Sequence, residues 1–255
     1  MKNYWKIAGA SRQGTSHLKL STPCQDAHAC AQFPDGTLVI AVADGAGSAK
    51  RSELGSTEAV KAVMAFAQSA AFPQLGVGWM RFLLNAFEQA RLALETLASE
   101  ESVDLRDLAC TLWVVVVTDE LVAVARLGDG FAVTQLEDGS FFSLIGQQKG
   151  EYANETVFLT VTDAIDRVEI MVYHVSSIKS VIVSTDGLVR LAMQMKDWTP
   201  FNKFFQPLIE SVAAAENEEA GGAWISQLLD SERVNARADD DKTLVVALRV
   251  EEVAS

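Results

Sequence analysis

The sequence predicts an α+β fold in which two antiparallel sheets carry helices on their outer faces. Strand-like runs fall in blocks joined by connections too short for a crossover helix. Helical periodicity is confined to segments lying between those blocks, and no regular strand–helix–strand alternation marks a parallel wind.

The elements follow in order. Trp5–Gly9, Ala29–Phe33 and Thr37–Ala43 have strand composition, Asp35-Gly36 supplies a hairpin turn between the last two, and the chain is expected to open as a β-meander. Glu53–Ala71 and Trp79–Ser99 follow as helices. In the second, Trp79, Leu83, Phe87, Ala90, Leu94 and Leu97 recur at three- and four-residue steps and define one buried face. Pro73 and Gly76 separate the two. Strands return at Thr111–Thr118, Leu121–Leu127, Phe131–Leu136 and Phe141–Ile145, expected to be antiparallel neighbours, with Asp138-Gly139 as a second hairpin turn. The polar stretch Gly146–Thr156 is a loop or flap. Strands at Val157–Val161, Val168–Val175 and Ser180–Thr185 come next, then helices near Leu188–Met193, Phe201–Ala215 and Ala223–Leu229, and a last strand at Thr243–Val250.

The chain has 255 residues and no Pro/Gly/Ser-rich linker, so one domain spanning 1–255 is expected. Its 49% hydrophobic and 22% charged residues suit a globular protein with a sizeable core. A net charge of −13 argues against a nucleic-acid partner, because little here could replace the counterions of a phosphate backbone. The strongest apolar run, Leu112 to Val117, is far shorter than the ~20 residues of a membrane helix, and the N-terminus lacks a signal-peptide pattern. Cys24, Cys30 and Cys110 are an odd count without zinc-site spacing; together these features predict a cytoplasmic protein without membrane partners.

Four acidic clusters stand where apolar runs meet turns: Cys24-Gln25-Asp26, Asp44-Gly45, Asp186-Gly187 and Asp239-Asp240-Asp241. Turn chemistry alone explains most of the five Asp-Gly pairs in the chain, and Asp35 and Asp138 are assigned to hairpins. Asp44 and Asp186 differ, since each ends a β-rich run and precedes a segment leading into a helix. The run Asp239-Asp240-Asp241 is either a solvated loop or a place where a divalent cation relieves the repulsion. Oxygen ligands without paired Cys or His favour Mg²⁺ or Mn²⁺ over zinc. Two such ions roughly 3.5–4 Å apart would acidify a water between them and neutralise charge on a phosphoryl group.

These residues resemble the motifs of the metal-dependent, type 2C serine/threonine protein phosphatases (the PPM family), in particular their shorter bacterial branch. Cys24-Gln25-Asp26-Ala27-His28 is similar to the family's opening Asn/Glu-Asp-Ala, and Val42-Ala43-Asp44-Gly45-Ala46-Gly47 to its Asp-Gly motif. Leu127-Gly128-Asp129-Gly130 is similar to its Gly-Asp-Ser, Ser184-Thr185-Asp186-Gly187 to its second Asp-Gly, and Asp240-Asp241-Lys242-Thr243 to its Asp-Asn-x-Ser/Thr. They keep the family's order over about residues 24 to 248. The resemblance implies a four-layer α-β-β-α sandwich with a dinuclear site at one end between the sheets. It also implies that phosphoserine and phosphothreonine are hydrolysed by direct attack of a metal-activated water. Asp44 would bridge two Mn²⁺ or Mg²⁺ ions, Gly45 would offer its carbonyl to one, Asp186 and Asp240 would hold the other, and Asp26 would orient a metal-bound water. Asp107 is the nearest match to the acid that binds a third, weaker ion in some relatives, and Asp129 to one that braces strands. Phosphorylated proteins, targets of a Ser/Thr kinase, would be the substrates.

Two departures matter. Where relatives carry an Arg that grips the substrate phosphate this chain has Ser21, leaving His17, Lys19 or the metals to take that role. Where eukaryotic relatives place a His after the Asp-Gly, Ala46 stands here. His28 admits a structural or a catalytic reading, Cys24 is a packed residue or an oxidation-sensitive thiol, and Lys149–Thr156 is a substrate-contacting flap or a plain surface loop. Two other functions stay open: a catalytically weak or inactive binding module on the same fold, and a hydrolase of small phosphoesters.

Overall fold

The computed structural model describes residues 3–74, 76–147, 156–175 and 178–251. Strand β1 (Asn3–Arg12) is followed by a short helix α1 (Thr15–Leu20), the hairpin β2 (Ala27–Gln32) and β3 (Leu38–Ala43), and helices α2 (Ser52–Ser69) and α3 (Gly76–Glu101). The second block comprises β4 (Leu112–Val117), β5 (Leu121–Leu127), β6 (Phe131–Leu136), β7 (Phe141–Ser143), β8 (Glu169–His174) and β9 (Ile178–Ser184). After it come α4 (Val189–Ala192), a small ribbon of β10 (Met193–Gln194) and β11 (Thr199–Pro200), then α5 (Asn202–Ala214), α6 (Glu218–Leu229), α7 (Glu232–Asn235) and β12 (Lys242–Glu251). One five-stranded sheet has the order β1-β12-β9-β6-β7 and the other β2-β3-β4-β5-β8; the pairings are antiparallel.

The alternation of side chains along a strand explains the four layers. On β3, Leu38, Ile40 and Val42 point into the core between the sheets, while Val39, Ala41 and Ala43 pack under α2 and α3. On β4, Trp113, Val115 and Val117 face the opposite sheet and Leu112, Val114 and Val116 the helices. On β12, Val245 and Ala247 lie between the sheets, and Leu244, Val246 and Leu248 face the layer of α4 to α7. Strands covered on both faces are apolar throughout, which is why these runs show no polar alternation.

Three expectations are corrected. The chain does not open as a meander: β1 leaves β2 and β3 to pair with β12 over its whole length in the other sheet. Nor are β5 and β6 neighbours. Gly128 and Gly130 take φ values of +95° and +112°, which turn the chain from one sheet into the other, where β6 pairs with β9. Trp113 Nε1 donates to the Asp129 carbonyl (2.6 Å) and fixes this crossing. Val157–Val161 is not a strand. Leu159 is fully buried, but its N–H donates to the Cys110 carbonyl, and the carbonyls of Leu159 and Val161 accept from Arg91 Nη1 (2.8 and 2.6 Å) instead of from a neighbouring strand. The proposed flap falls, at 148–155, outside the described residues.

Candidate active site

The acidic turns gather at one end of the sandwich because antiparallel pairing brings the C-terminal ends of β1, β3, β5 and β9 and the N-terminal end of β12 to the same edge. There they line a cleft of about 380 Å³ whose carboxylates are Asp44, Asp129, Asp186, Asp239 and Asp240. Helix α1 closes one wall with Ser16, His17 and Leu20; Gly45, Ala46 and Gly47 form another. Among the described residues no lysine or arginine lines it.

Asp44, Asp129 and Asp186 each bring a carboxylate oxygen within 4.8 Å of the others. The Asp44 backbone is held on both sides by Thr111, whose hydroxyl accepts from the Asp44 N–H (3.0 Å) and whose own N–H donates to the Asp44 carbonyl (2.8 Å). Burial, then the charges of Asp26 and Asp186, pushes the Asp44 carboxyl well above the usual carboxylate range. Burial and the neighbouring Asp129 and Asp240 raise Asp186 to about 6. Gly187 has no room for a side chain, since a Cβ would lie 2.1 Å from the Asp241 carbonyl oxygen. This contact brings the Asp186 turn onto the 239–241 loop.

Asp26 sits behind the trio. Its Oδ2 accepts from Thr185 Oγ1 (2.7 Å), its buried Oδ1 has no hydrogen-bond partner among the described residues, and burial raises it to about 7. Asp186 likewise has a buried Oδ1 without a partner. Unpaired buried carboxylate oxygens are costly, and they mark where a cation fits. Asp241 does different work: it is 2% exposed, and its two oxygens accept from the backbone N–H of Gly14 (2.6 Å) and of Gln25 (2.5 Å). It thereby ties the start of α1 and the Asp26 turn to the start of β12.

The remaining predicted residues divide. Asp240 lines the cleft, and Gly45 N–H donates to the Gln25 carbonyl in its wall. His17 lines the cleft too. Its Nδ1 is 2.9 Å from Asp241 Oδ2 without hydrogen-bond alignment, and its Nε2 is 4.0 Å from Asp240 Oδ1. Lys19 and Ser21 are exposed outside the lining, Ser21 as the left-handed cap of α1. Asp107 belongs to the 3₁₀ turn Leu105–Leu108, 3.9 Å from Lys50 Nζ, and does not line the cleft. His28 lies on β2, where its Nδ1 meets Oγ of Ser11 on β1 (2.8 Å) and burial lowers its pKa, so its surroundings are those of a structural histidine. Burial together with Asp241 and Asp26 pushes Cys24 up to about 12, which keeps it a protonated thiol.

Sequence reasoning overlooked Asp129 as a member of the acidic group and Asp241 as the clamp of the site. A signal for the first was present in Gly128-Asp129-Gly130, an acid between two glycines at a strand end. Helix α1, with its Ser16 and His17, carried no comparable periodicity.

Among solved structures, the catalytic domain of the serine/threonine protein phosphatase PstP, in complex with two manganese ions, superposes with a TM-score of 0.66 at 15% identity, covering 98% of this chain and 100% of that one. The phosphatase Stp1 from Staphylococcus aureus gives a TM-score of 0.67 at 15% identity, covering 96% and 94%. These likenesses establish the fold class: the four-layer sandwich of serine/threonine phosphatases. In sequence, the model of the Protein phosphatase 2C family matches residues 13–230. Serine/threonine-protein phosphatase 3 of Escherichia coli (strain K12) is 35% identical over 254 residues, spanning 97% of this chain and 99% of that protein. The chain belongs to the protein phosphatase 2C family of serine/threonine phosphatases, which are hydrolases.

Proposed function

We propose that this chain removes phosphate from phosphoserine and phosphothreonine in proteins with two divalent cations, Mn²⁺ or Mg²⁺, held in the acidic cleft. One observation carries the reading: five carboxylates and, among the described residues, no Lys or Arg line the cleft, so a phosphate dianion is repelled until cations offset that charge. The all-oxygen donor set and the unpaired oxygens of Asp26 and Asp186 fit hard cations.

Asp44, the Gly45 carbonyl, Asp186 and Asp240 would hold the ions, and Asp129 stands close enough to Asp44 and Asp186 to share one. Once bound, the cations supply charge neutralisation at the phosphoryl oxygens and lower the pKa of water. Asp26, held by Thr185, would orient that water through its free Oδ1. His17 takes the place of the missing arginine as the basic side chain beside the phosphate. Asp107 faces Lys50, and no third ion is proposed there.

The test is hydrolysis of a phosphoserine or phosphothreonine peptide with and without Mn²⁺, beside Asp44→Asn and Asp186→Asn. Each variant should lose at least ~100-fold in kcat/KM. Full activity in either, or activity unchanged by EDTA, defeats the assignment. Calorimetry showing no binding of divalent ions to the wild type would favour a non-catalytic module. Turnover of free phosphorylated metabolites far above that of phosphopeptides would favour a small-phosphoester hydrolase.

A further inference from the structure

In the second helical layer, a groove of about 260 Å³ lies between α5, α6 and α7 and shares no lining residue with the acidic cleft. Its floor is apolar, formed by Phe204, Trp224 and Leu228. Its rim carries Lys203, Arg233 and Arg237, all exposed and none within ion-pair distance of an acid among the described residues. On this chain of net charge −13, Arg12, Arg51, Arg91, Arg106, Arg126, Arg167 and Arg249 each meet an acid, and of the four arginines without one among the described residues, Arg81, Arg190, Arg233 and Arg237, two stand together on this rim.

An exposed apolar concavity rimmed by charge marks a place for a partner. The rim selects which one. A purely apolar ligand would leave three cations unanswered, and a second copy of this acidic chain is repelled over most of its surface. A nucleic acid would meet the same repulsion beyond the rim. What remains complementary is a peptide segment that buries a large apolar side chain in the groove and sets carboxylates against the rim. We propose that the α5–α7 groove docks a segment of a partner protein in which a Leu, Phe or Trp is flanked by Asp or Glu. The site is distinct from the catalytic cleft, and its occupancy does not depend on the metal chemistry.

The experiment pans a random dodecapeptide display library against the full chain in EDTA and follows one enriched peptide by fluorescence anisotropy. The double variants Lys203→Glu/Arg233→Glu and Lys203→Arg/Arg233→Lys are measured alongside. Both positions are exposed and unpaired, and a circular-dichroism melt confirms that the variants are folded. Enrichment of Asp or Glu beside Leu, Phe or Trp is expected, with binding at least ~10-fold weaker in the charge-reversed pair and retained within about twofold in the charge-conserving pair. The proposal is overturned by a pool without acidic enrichment, or by a charge-reversed pair that binds as well as wild type. It is equally overturned if dodecanoate fills the groove while no peptide binds, or if light scattering shows a dimer that the reversal dissolves.

Discussion

At the scale of single residues, the site depends on a division of labour among carboxylates close in sequence. Asp240 faces the cleft, whereas its neighbour Asp241 is spent on two backbone amides. Asp241→Ala would strand the N–H groups of Gly14 and Gln25 in a buried place, each at a cost of about 1–3 kcal/mol. The expected loss is therefore about 2–6 kcal/mol by urea unfolding, with Asp241→Asn milder because an amide oxygen still accepts one of the two bonds. A loss below about 1 kcal/mol for the alanine variant would mean that the clamp does not hold the site together. The sequence showed three adjacent acids and could separate neither their directions nor their partners, since those follow from where β12 begins against Gly14 and Gln25. Asp44 and Asp186 were legible because the apolar runs before them end abruptly. Asp129 braces the structure as expected, its carbonyl accepting from Trp113 and its side chain from Thr156 Oγ1 (2.9 Å), but the same carboxylate also lies beside Asp44 and Asp186, which the sequence did not show.

At the scale of elements, strands and long helices were legible where pattern and length agree, as in β3, β4, α2 and α3. Failures came where a tertiary partner decided the outcome. The run 157–161 is apolar enough for a strand, yet Arg91 on α3 captures two of its carbonyls and leaves no ladder to form. Helix α6 begins at Glu218, earlier than Gly221-Gly222 suggested, because Asn217 caps it by accepting the Ala220 N–H (2.9 Å) and outweighs the low helix propensity of the glycine pair. Arg91 also has a consequence for the cleft, since the loop it holds contributes Thr156 and Phe158 to the lining. Arg91→Ala should cost about 1–3 kcal/mol, speed hydrogen exchange at the Leu159 amide, and raise KM for phosphopeptide more than it lowers kcat. Both carbonyls accept from the single nitrogen Nη1, so Arg91→Lys can keep contact with them while losing the Nε bond to Glu95, and should fall between. Unchanged exchange at Leu159 in the alanine variant would show that the loop is held by packing alone.

For the whole molecule, the question is what it costs to fold a chain of net charge −13 around a cluster of buried acids. Burial holds Asp26 at about 7, Asp44 well above its ordinary value and Asp186 at about 6, whereas an unfolded Asp titrates near 3.9. Between about pH 4 and pH 7 the metal-free folded chain keeps protons that the unfolded chain has released, so its stability falls as pH rises through this window. His28 acts in the opposite direction, because its lowered pKa makes acidification below the ordinary histidine value of about 6.5 unfavourable to the fold. From about pH 6.5 to 8 an unfolded histidine gives up only the last half of its charge, a small opposing effect, while Asp26, at about 7, is still releasing its proton, so the acids dominate this window. In EDTA, stability should rise by on the order of 1 kcal/mol from pH 8 to pH 6.5, or roughly 2–4 °C in melting temperature for a chain of this size. Divalent cations compete with those protons, so the stabilisation by millimolar Mn²⁺ should be larger at pH 8 than at pH 6.5. Differential scanning fluorimetry across the two pH values, with and without Mn²⁺, separates the outcomes. A metal-free melting temperature that falls on acidification, together with an equal Mn²⁺ shift at both pH values, would mean that the cluster is not where protons and metal exchange. The expected pattern would tie the electrostatic cost of the fold to the same carboxylates that are proposed to hold the metals.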